Sequence, residues 1–143
     1  MLRMKDKLRI LVVEDEEHVA DLIAVLFTRL NWDVQVAVTG KTGLDLAVEQ
    51  KFDLITLDVG LPDVSGMEIC RELRQRHISY RTPVVFVSAH ADPEIKRQAF
   101  EFDAVDFIQK PFKVEEFMAR ISAALKRKLP VPPAFEVAVT GRV

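Results

Sequence analysis

Short apolar runs alternate with amphipathic stretches along most of the chain. The first run, Leu8 to Val13, is apolar apart from Arg9, which is typical of a strand buried on both faces. Four more strand-length runs are rich in Val, Ile or Phe: Val34 to Val38, Asp53 to Leu57, Val84 to Ser88 and Val105 to Ile108. The pattern therefore predicts five strands.

Apolar stripes at helical spacing follow these strands and predict five helices. The stripes are Val19, Leu22, Ile23, Leu26, Phe27 and Leu30; Leu44, Ala47 and Val48; Met67, Cys70 and Leu73; Ile95, Ala99 and Phe102; and Val114, Phe117, Met118, Ile121 and Leu125. Because strands and helices alternate, right-handed crossovers give a parallel sheet with helices on both faces. We expect a doubly wound α/β fold.

Length and charge narrow the possible functions. A chain of 143 residues is the size of one globular domain, and a formal net charge of −2 gives no electrostatic reason to bind nucleic acid or an acidic membrane. The single Cys70 cannot form an internal disulfide, and its place on an apolar stripe predicts a buried packing role. The first apolar run stops at Glu14 and is too short for a membrane span or leader, so we expect a cytoplasmic protein.

The sequence changes character after Lys128, where prolines occupy three of the four positions 130–133. Proline stops a helix and favours extended chain, so we expect a domain over residues 1–128 and a Pro-rich linker or tail over 129–143. This segment is too short for a helix-turn-helix, so no direct DNA binding by this chain is expected. Its FEVAV stretch is read either as the start of an output domain or as a tail.

Groups capable of chemistry follow four of the five predicted strands. Glu14 and Asp15 follow the first, Asp58 the third and Lys110 the fifth, while Ser88 ends the fourth. The carboxyl ends of parallel strands meet at one edge, where ligands bind near the switch point of such sheets. Converging carboxylates need a compensating cation, and oxygen ligands favour Mg²⁺, which often also binds phosphate. Asp58 is therefore the candidate nucleophile for an aspartyl phosphate, with Lys110 neutralising charge and Ser88 donating a hydrogen bond.

Four segments, VVEDEE, LITLDVGLPDVSGMEI, VVFVSAH and DFIQKPF, resemble in this order the receiver domain of two-component response regulators. The resemblance covers about residues 8–128. It implies a flavodoxin-like sheet of five parallel strands in the order 2-1-3-4-5 with five helices. It also implies that Asp58 accepts a phosphoryl group from a sensor histidine kinase or phosphotransfer protein, in a Mg²⁺-dependent transfer.

The resemblance assigns the metal ligands. Asp15 and Asp58 would bind Mg²⁺ directly, Gly60 through its backbone carbonyl, and Glu14 through water. The peptide bond between Lys110 and Pro111 would be cis. Such a domain is a signalling phosphoacceptor that assists its own phosphorylation and autodephosphorylation, and is not an enzyme in the ordinary sense.

The resemblance also assigns a switch. Ser88 would move toward the phosphoryl group, and Phe107 would rotate inward and reshape the face of the fourth helix, fifth strand and fifth helix. That face would also form a phosphorylation-dependent homodimer through Lys96, Asp106, Glu116 and Arg120, although Val105 replaces one of the charges usual there.

Other positions qualify this hypothesis. Asp103 stands where a Gly is usual, which is expected to alter the turn before the fifth strand, and Gly60 and His90 occupy positions that tune loss of the phosphoryl group. The arginines 71, 74 and 76 are expected to form a solvated helix face. Two alternatives remain: a receiver-fold interaction module controlled by binding rather than by phosphate, and a Mg²⁺-dependent phosphohydrolase. The latter usually carries a second Asp where this chain has Gly60.

Overall fold

A computed structural model of the protein describes residues 7–127. Five parallel strands form one sheet in the order β2-β1-β3-β4-β5, with β1 Arg9–Val13, β2 Asp33–Ala37, β3 Leu54–Leu57, β4 Val84–Ser88 and β5 Asp106–Gln109. The helices are α1 Glu17–Thr28, α2 Gly40–Glu49, α3 Gly66–Leu73, α4 Pro93–Glu101 and α5 Val114–Leu125. The predicted fold is confirmed. The domain boundary at residue 128 and the tail 129–143 lie outside the described residues.

Alternation along the central strands builds a core on each side of the sheet. Leu11 and Val13 of β1 belong to a cluster that includes side chains of α2 and α3. Ile10 and Val12 face the other way, into a cluster with side chains of α1 and α5. Because every second residue of a strand points to the same face, an unbroken apolar strand fits only between two helical layers. No helix within residues 7–127 is long and apolar enough to cross a membrane.

The first helix differs from its predicted stripe. Its buried residues are Ala20, Ile23 and Phe27, whereas Leu22 is 42% exposed. Leu30 lies beyond the helix end and is 48% exposed. A buried line at i, i+3 and i+7 covers a narrow strip, so the predicted stripe was too wide.

The turn before β5 contains Asp103, the residue that stands where a Gly is usual. Asp103 has φ 62°, in the left-handed region that glycine enters without a Cβ clash. Asp is among the residues that tolerate this region best, at a cost of about 1 kcal/mol. The Lys110–Pro111 bond is cis, as the resemblance implied.

The expected solvated arginine face is wrong for one of its three members. Arg71 pairs with Glu68, and Arg76 pairs with Glu72 at 2.8 Å. Arg74 is half-buried, and its guanidinium donates to backbone carbonyls of two loops. It is the C-cap residue of α3, so its side chain can reach past the helix end. Helical spacing alone does not reveal that reach.

Phe117 should dominate the stability of the core shared by α1 and α5. It is fully buried and stacks on Phe112 at 4.5 Å and on Phe27 at 5.8 Å between ring centroids. Phe117→Ala is expected to lower the free energy of unfolding by about 3 to 5 kcal/mol in urea denaturation. Phe100→Ala is the control, because Phe100 is 50% exposed, and it should change stability by no more than about 0.5 kcal/mol. Equal losses would contradict the described packing.

Candidate active site at the carboxyl edge of the sheet

The ammonium group of Lys110 lies among carboxylates at the carboxyl edge of the sheet. Its Nζ is 2.8 Å from Glu14 Oε1, 2.9 Å from Glu16 Oε1 and 3.0 Å from Asp58 Oδ2. The side chains of Glu14 and Asp58 are 2% and 5% exposed, and that of Lys110 is 9% exposed. A buried charge is tolerated only when it is paired and hydrogen-bonded, and these groups satisfy one another.

Sheet hydrogen bonds hold the two buried acids in place. The backbone NH of Glu14, directly after β1, donates to the Ala37 carbonyl at 2.9 Å. The backbone NH of Asp58, directly after β3, donates to the Val13 carbonyl at 3.1 Å. Each acid therefore continues the ladder by one residue, and its side chain is fixed where the strand ends.

The Asp58 carboxylate accepts hydrogen bonds from several groups. Besides Lys110, it accepts from the Ser88 hydroxyl and from the Gly60 NH, whose nitrogen is 3.2 Å from Oδ1. Burial alone would raise the pKa of Asp58, but these bonds outweigh it and the pKa lies below its usual value. Asp58 is therefore ionised at neutral pH, as a nucleophilic carboxylate must be.

Glu14 has the opposite shift. Burial raises its pKa from 4.5 to about 7, and the charge of Asp58 also raises it, although the bond to Lys110 lowers it. Burial opposes the charge of Lys110, but its bonds to Glu14, Glu16 and Asp58 prevail and its pKa is raised. The site therefore holds a cation, Lys110, an ionised carboxylate, Asp58, and a buried acid, Glu14, that titrates near neutrality.

The donor set fits a hard cation. Carboxylate oxygens of Glu14, Glu16 and Asp58 lie within 4.8 Å of one another. An all-oxygen set is the one that Mg²⁺ prefers. Asp15, the predicted direct ligand, is exposed and does not belong to this group in the structure.

Sequence reasoning missed Glu16. Its side chain is 60% exposed and pairs with Lys110, and its backbone NH donates to Glu14 Oε2 at 3.1 Å. The signal was present as the third acid of VVEDEE, where Glu16 precedes the first residue of α1. That signal could not say which of two neighbouring acids turns toward Lys110.

Ser88, Gly60 and His90 meet at the mouth of the site. Ser88 is fully buried, and the His90 NH donates to its hydroxyl oxygen at 3.1 Å. A Cβ on Gly60 would lie 2.7 Å from His90 Nε2, so the imidazole occupies the space that a side chain at residue 60 would need. The glycine and the exposed histidine are thus sterically matched.

The predicted switch aromatic is buried in this structure. Phe107 is 6% exposed and stacks on Phe86, with ring centroids 5.8 Å apart. Lys96 of α4 covers the ring, with Nζ 6.0 Å from its centroid. The ring is therefore packed inside the chain in this structure, and its predicted rotation on phosphorylation stays a prediction.

The four charges predicted at a dimer face lie together. Arg120 pairs with Asp106 at 3.0 Å and approaches Glu116 at 3.8 Å. Lys96, Glu116 and Arg120 line a cavity of about 370 Å³ that also contacts Phe107. Within one chain these charges are partly satisfied by each other.

Comparison with known proteins agrees with this geometry. A family model described as the response regulator receiver domain matches residues 10–122. The chain belongs to this family. It is thus a receiver domain of a two-component system, and its strand order is that of the flavodoxin-like receiver fold.

Individual relatives support the assignment. The chain is 41% identical over 120 residues to the response regulator ArlR of Staphylococcus saprophyticus, which covers 84% of this chain and 53% of that protein. It therefore spans about half the length of the curated relatives it matches. The non-phosphorylated HemR receiver domain of Leptospira biflexa superposes with a TM-score of 0.80, at 30% identity, over 87% of this chain and 98% of that one.

A third relative bears on the metal. The receiver domain of the sensor histidine kinase PA1611 of Pseudomonas aeruginosa has a magnesium ion coordinated in its active site cleft. It matches with a TM-score of 0.77 at 25% identity, over 85% of this chain and 99% of that one.

The raised pKa of Glu14 predicts a pH-dependent effect of Glu14→Gln in the receiver domain. The folded protein keeps a proton on Glu14 that the unfolded chain loses above pH 4.5. Stability from this group is therefore complete below pH 4.5 and is lost as pH rises through about 7. In chelator-treated protein, urea denaturation should show Glu14→Gln gaining stability relative to wild type between pH 5 and pH 8. Glu49→Gln, at an exposed position, is the control, and an equal trend there would contradict the assignment.

Proposed function

We propose that this receiver domain is a phosphorylation switch whose acceptor is Asp58. The donor is a phosphohistidine of a sensor histidine kinase or phosphotransfer protein. An oxygen of the Asp58 carboxylate attacks the phosphorus, the new O–P bond forms as the N–P bond breaks, and the imidazole keeps the electron pair. The observation that carries this proposal is a buried Asp58 carboxylate held ionised by Ser88 and Lys110.

The residues around Asp58 suit the charge that transfer creates. The phosphoryl group brings about −1.5 to −2 charges and three oxygens. The Lys110 ammonium and the Ser88 hydroxyl already bind the carboxylate, so a small movement of each would bring them to phosphoryl oxygens. This is stabilisation by groups positioned before the reaction.

The acidic group would hold Mg²⁺. Asp58 and the Gly60 carbonyl would be ligands, Glu14 would act through water, and Asp15 would complete the set, with Glu16 as the competing candidate. When bound, Mg²⁺ supplies charge neutralisation for the transferring phosphoryl group.

A groove beside the site supports a protein as donor. Val19, Leu22, Pro111 and Phe112 line it, and Glu16 and Lys110 lie at its end toward Asp58. The exposed Leu22 adds apolar surface there. Apolar surface next to a reactive carboxylate suits docking of an amphipathic element more than a small phosphodonor alone.

Loss of the phosphoryl group by water would reset the switch. Water attacks the phosphorus, the O–P bond to Asp58 breaks, and the carboxylate and inorganic phosphate are released. The His90 imidazole lies over Gly60 at the mouth of the site, so we propose that it limits or orients this water.

Output would use the face of α4, β5 and α5. Phe107 lies on this face three residues before Lys110, and Lys96 covers its ring. A phosphorylation-dependent homodimer would exchange the internal Asp106–Arg120 pair for pairs between chains. The phosphate-independent interaction module remains the alternative, but nothing in such a module would require an ionised acid at Asp58.

Phosphate incorporation tests the proposal. After incubation with acetyl phosphate, intact mass spectrometry should show a gain of one phosphoryl group that requires Mg²⁺ and is absent from Asp58→Asn. Asp53→Asn is a matched control, because Asp53 lies just before the opposite end of the same strand and binds the Arg9 NH. Undiminished labelling of Asp58→Asn would show that another residue is the acceptor. If wild type gains no mass, absence of beryllofluoride binding would favour the phosphate-independent module.

Titration with Mg²⁺ separates the two candidate ligands. Asp15→Ala should weaken binding by at least about tenfold in calorimetry, because it removes a direct oxygen ligand. Glu16→Gln should have a smaller effect, since its carboxylate pairs with Lys110. The reverse order would make Glu16 the ligand and contradict the role given to Asp15.

A further inference from the structure

Helix α4 has few buried side chains that attach it to the rest of the domain. Among its residues only Ala99 is buried. Along its outer surface, Arg97 bridges Glu94 and Glu101, with the second pair at 2.6 Å. Pairs at i,i+3 and i,i+4 stabilise the helix itself rather than its attachment. The helix is therefore internally supported but has little buried surface holding it to the sheet.

The end of α4 nearest the phosphorylation site follows Ser88 through four residues. Residues 89–92 connect β4 to α4, and Ala89, His90 and Asp92 are exposed there. Asp92 caps the helix by accepting from the Ile95 NH at 3.0 Å. A displacement of Ser88 would thus reach the first turn of α4 through a short and loosely packed segment.

At the opposite end of α4, Arg74 binds the turn that follows the helix, where the buried Cys70 thiol also donates to the Phe102 carbonyl at 3.5 Å. Arg74 Nε donates to the Phe102 carbonyl at 3.0 Å and its Nη2 to the Asp103 carbonyl at 3.0 Å. Its Nη1 donates to the Thr82 carbonyl at 2.7 Å and to the Ser79 carbonyl at 3.4 Å. One rigid guanidinium thereby joins the last turn of α4 to α3 and to the loop before β4.

The turn at residues 102–104, which Arg74 binds, contains a residue with a positive φ. Asp103 has φ 62° and its carbonyl binds Arg74. The NH groups of Phe102, Asp103 and Ala104 all donate back to carbonyls of residues 98–100. The turn is thus closed by its own bonds and fastened from outside by Arg74.

We propose that Arg74 is the pivot of the switch: it fixes the C-terminal turn of α4, so that the helix swings about residues 102–104 when its first turn moves. This inference rests on the proposed phosphorylation at Asp58. A stiff helix held at one end carries a displacement along its length, and Lys96, over the Phe107 ring, lies in the half that moves. Arg74 is a positioning residue that touches no reacting group.

Amide hydrogen exchange and NMR on the whole chain test the pivot. In wild type, Mg²⁺ and beryllofluoride should shift the amide signals of residues 89–96 and leave those of 102–104 nearly unchanged. In Arg74→Gln, exchange at Phe102, Asp103 and Ala104 should accelerate by at least about tenfold, since the turn loses its bonds to Arg74. The beryllofluoride-induced shifts should then extend through the C-terminal turn.

Controls separate the pivot from general destabilisation. Arg76→Gln removes an exposed ion pair two residues further along the chain and should leave both readouts as in wild type. Arg74→Lys should restore part of the protection if the parent variant folds poorly, because an ammonium can still reach one or two carbonyls. Wild-type shifts as large at 102–104 as at 89–96, or unchanged exchange in Arg74→Gln, would overturn the pivot.

A failure of the proposed function can be distinguished from a failure of the pivot. Intact mass after acetyl phosphate treatment should show Arg74→Gln still gaining one phosphoryl group. If wild type neither gains mass nor binds beryllofluoride, phosphorylation itself is wrong, whereas the exchange result in untreated protein still reports whether Arg74 fixes the turn. Loss of phosphorylation in a folded Arg74→Gln would contradict its assignment as a positioning residue of the output alone.

Discussion

The pairing of a single ammonium group with carboxylates from separate strand ends is the constraint on which this receiver domain depends. Glu14 and Asp58 are buried beside each other, and without Lys110 two like charges would share a site of low polarity. Lys110 follows β5, so its charge reaches the acids only if the strand order brings these strand ends together. The site can therefore form only in a sheet whose strand order brings these strand ends together.

The same constraint divides the acids by function. Burial is the largest single influence on the pKa of both acids, but the donors around Asp58 outweigh it and keep Asp58 ionised, whereas those around Glu14 do not. Two carboxylates that each directly follow a strand thus acquire different chemistry from their surroundings. A phosphoryl group on Asp58 would redistribute the donors, and Ser88 is the one that continues directly into the loop before α4. Phe107 lies on β5, two residues before Gln109, which pairs with Ser88. Its ring contacts Lys96 of the same helix α4.

Much of this was available from the sequence. Strands buried on both faces read as continuous apolar runs, and the predicted limits differ from the observed ones by about one residue. The convergence of Glu14, Asp58, Ser88 and Lys110 follows from parallel strands alone. Contacts that depend on where a long side chain turns were not predictable. Glu16 rather than Asp15 meets Lys110, and Arg74 leaves the helix surface to bind loops that are distant in sequence. Hydrophobic periodicity also placed Leu22 in the core, because it cannot distinguish a core stripe from an apolar binding groove.

Chemical trapping of the phosphorylated residue tests the central claim most directly. Borohydride reduces an aspartyl phosphate to homoserine but leaves phosphoesters of Ser and unmodified carboxylates intact. After phosphorylation with Mg²⁺ and acetyl phosphate, reduction and peptide mapping should place homoserine at residue 58 and nowhere else in the chain. Homoserine absent from residue 58 in protein that has gained a phosphoryl group, or a borohydride-resistant phosphate on Ser88, would contradict the account.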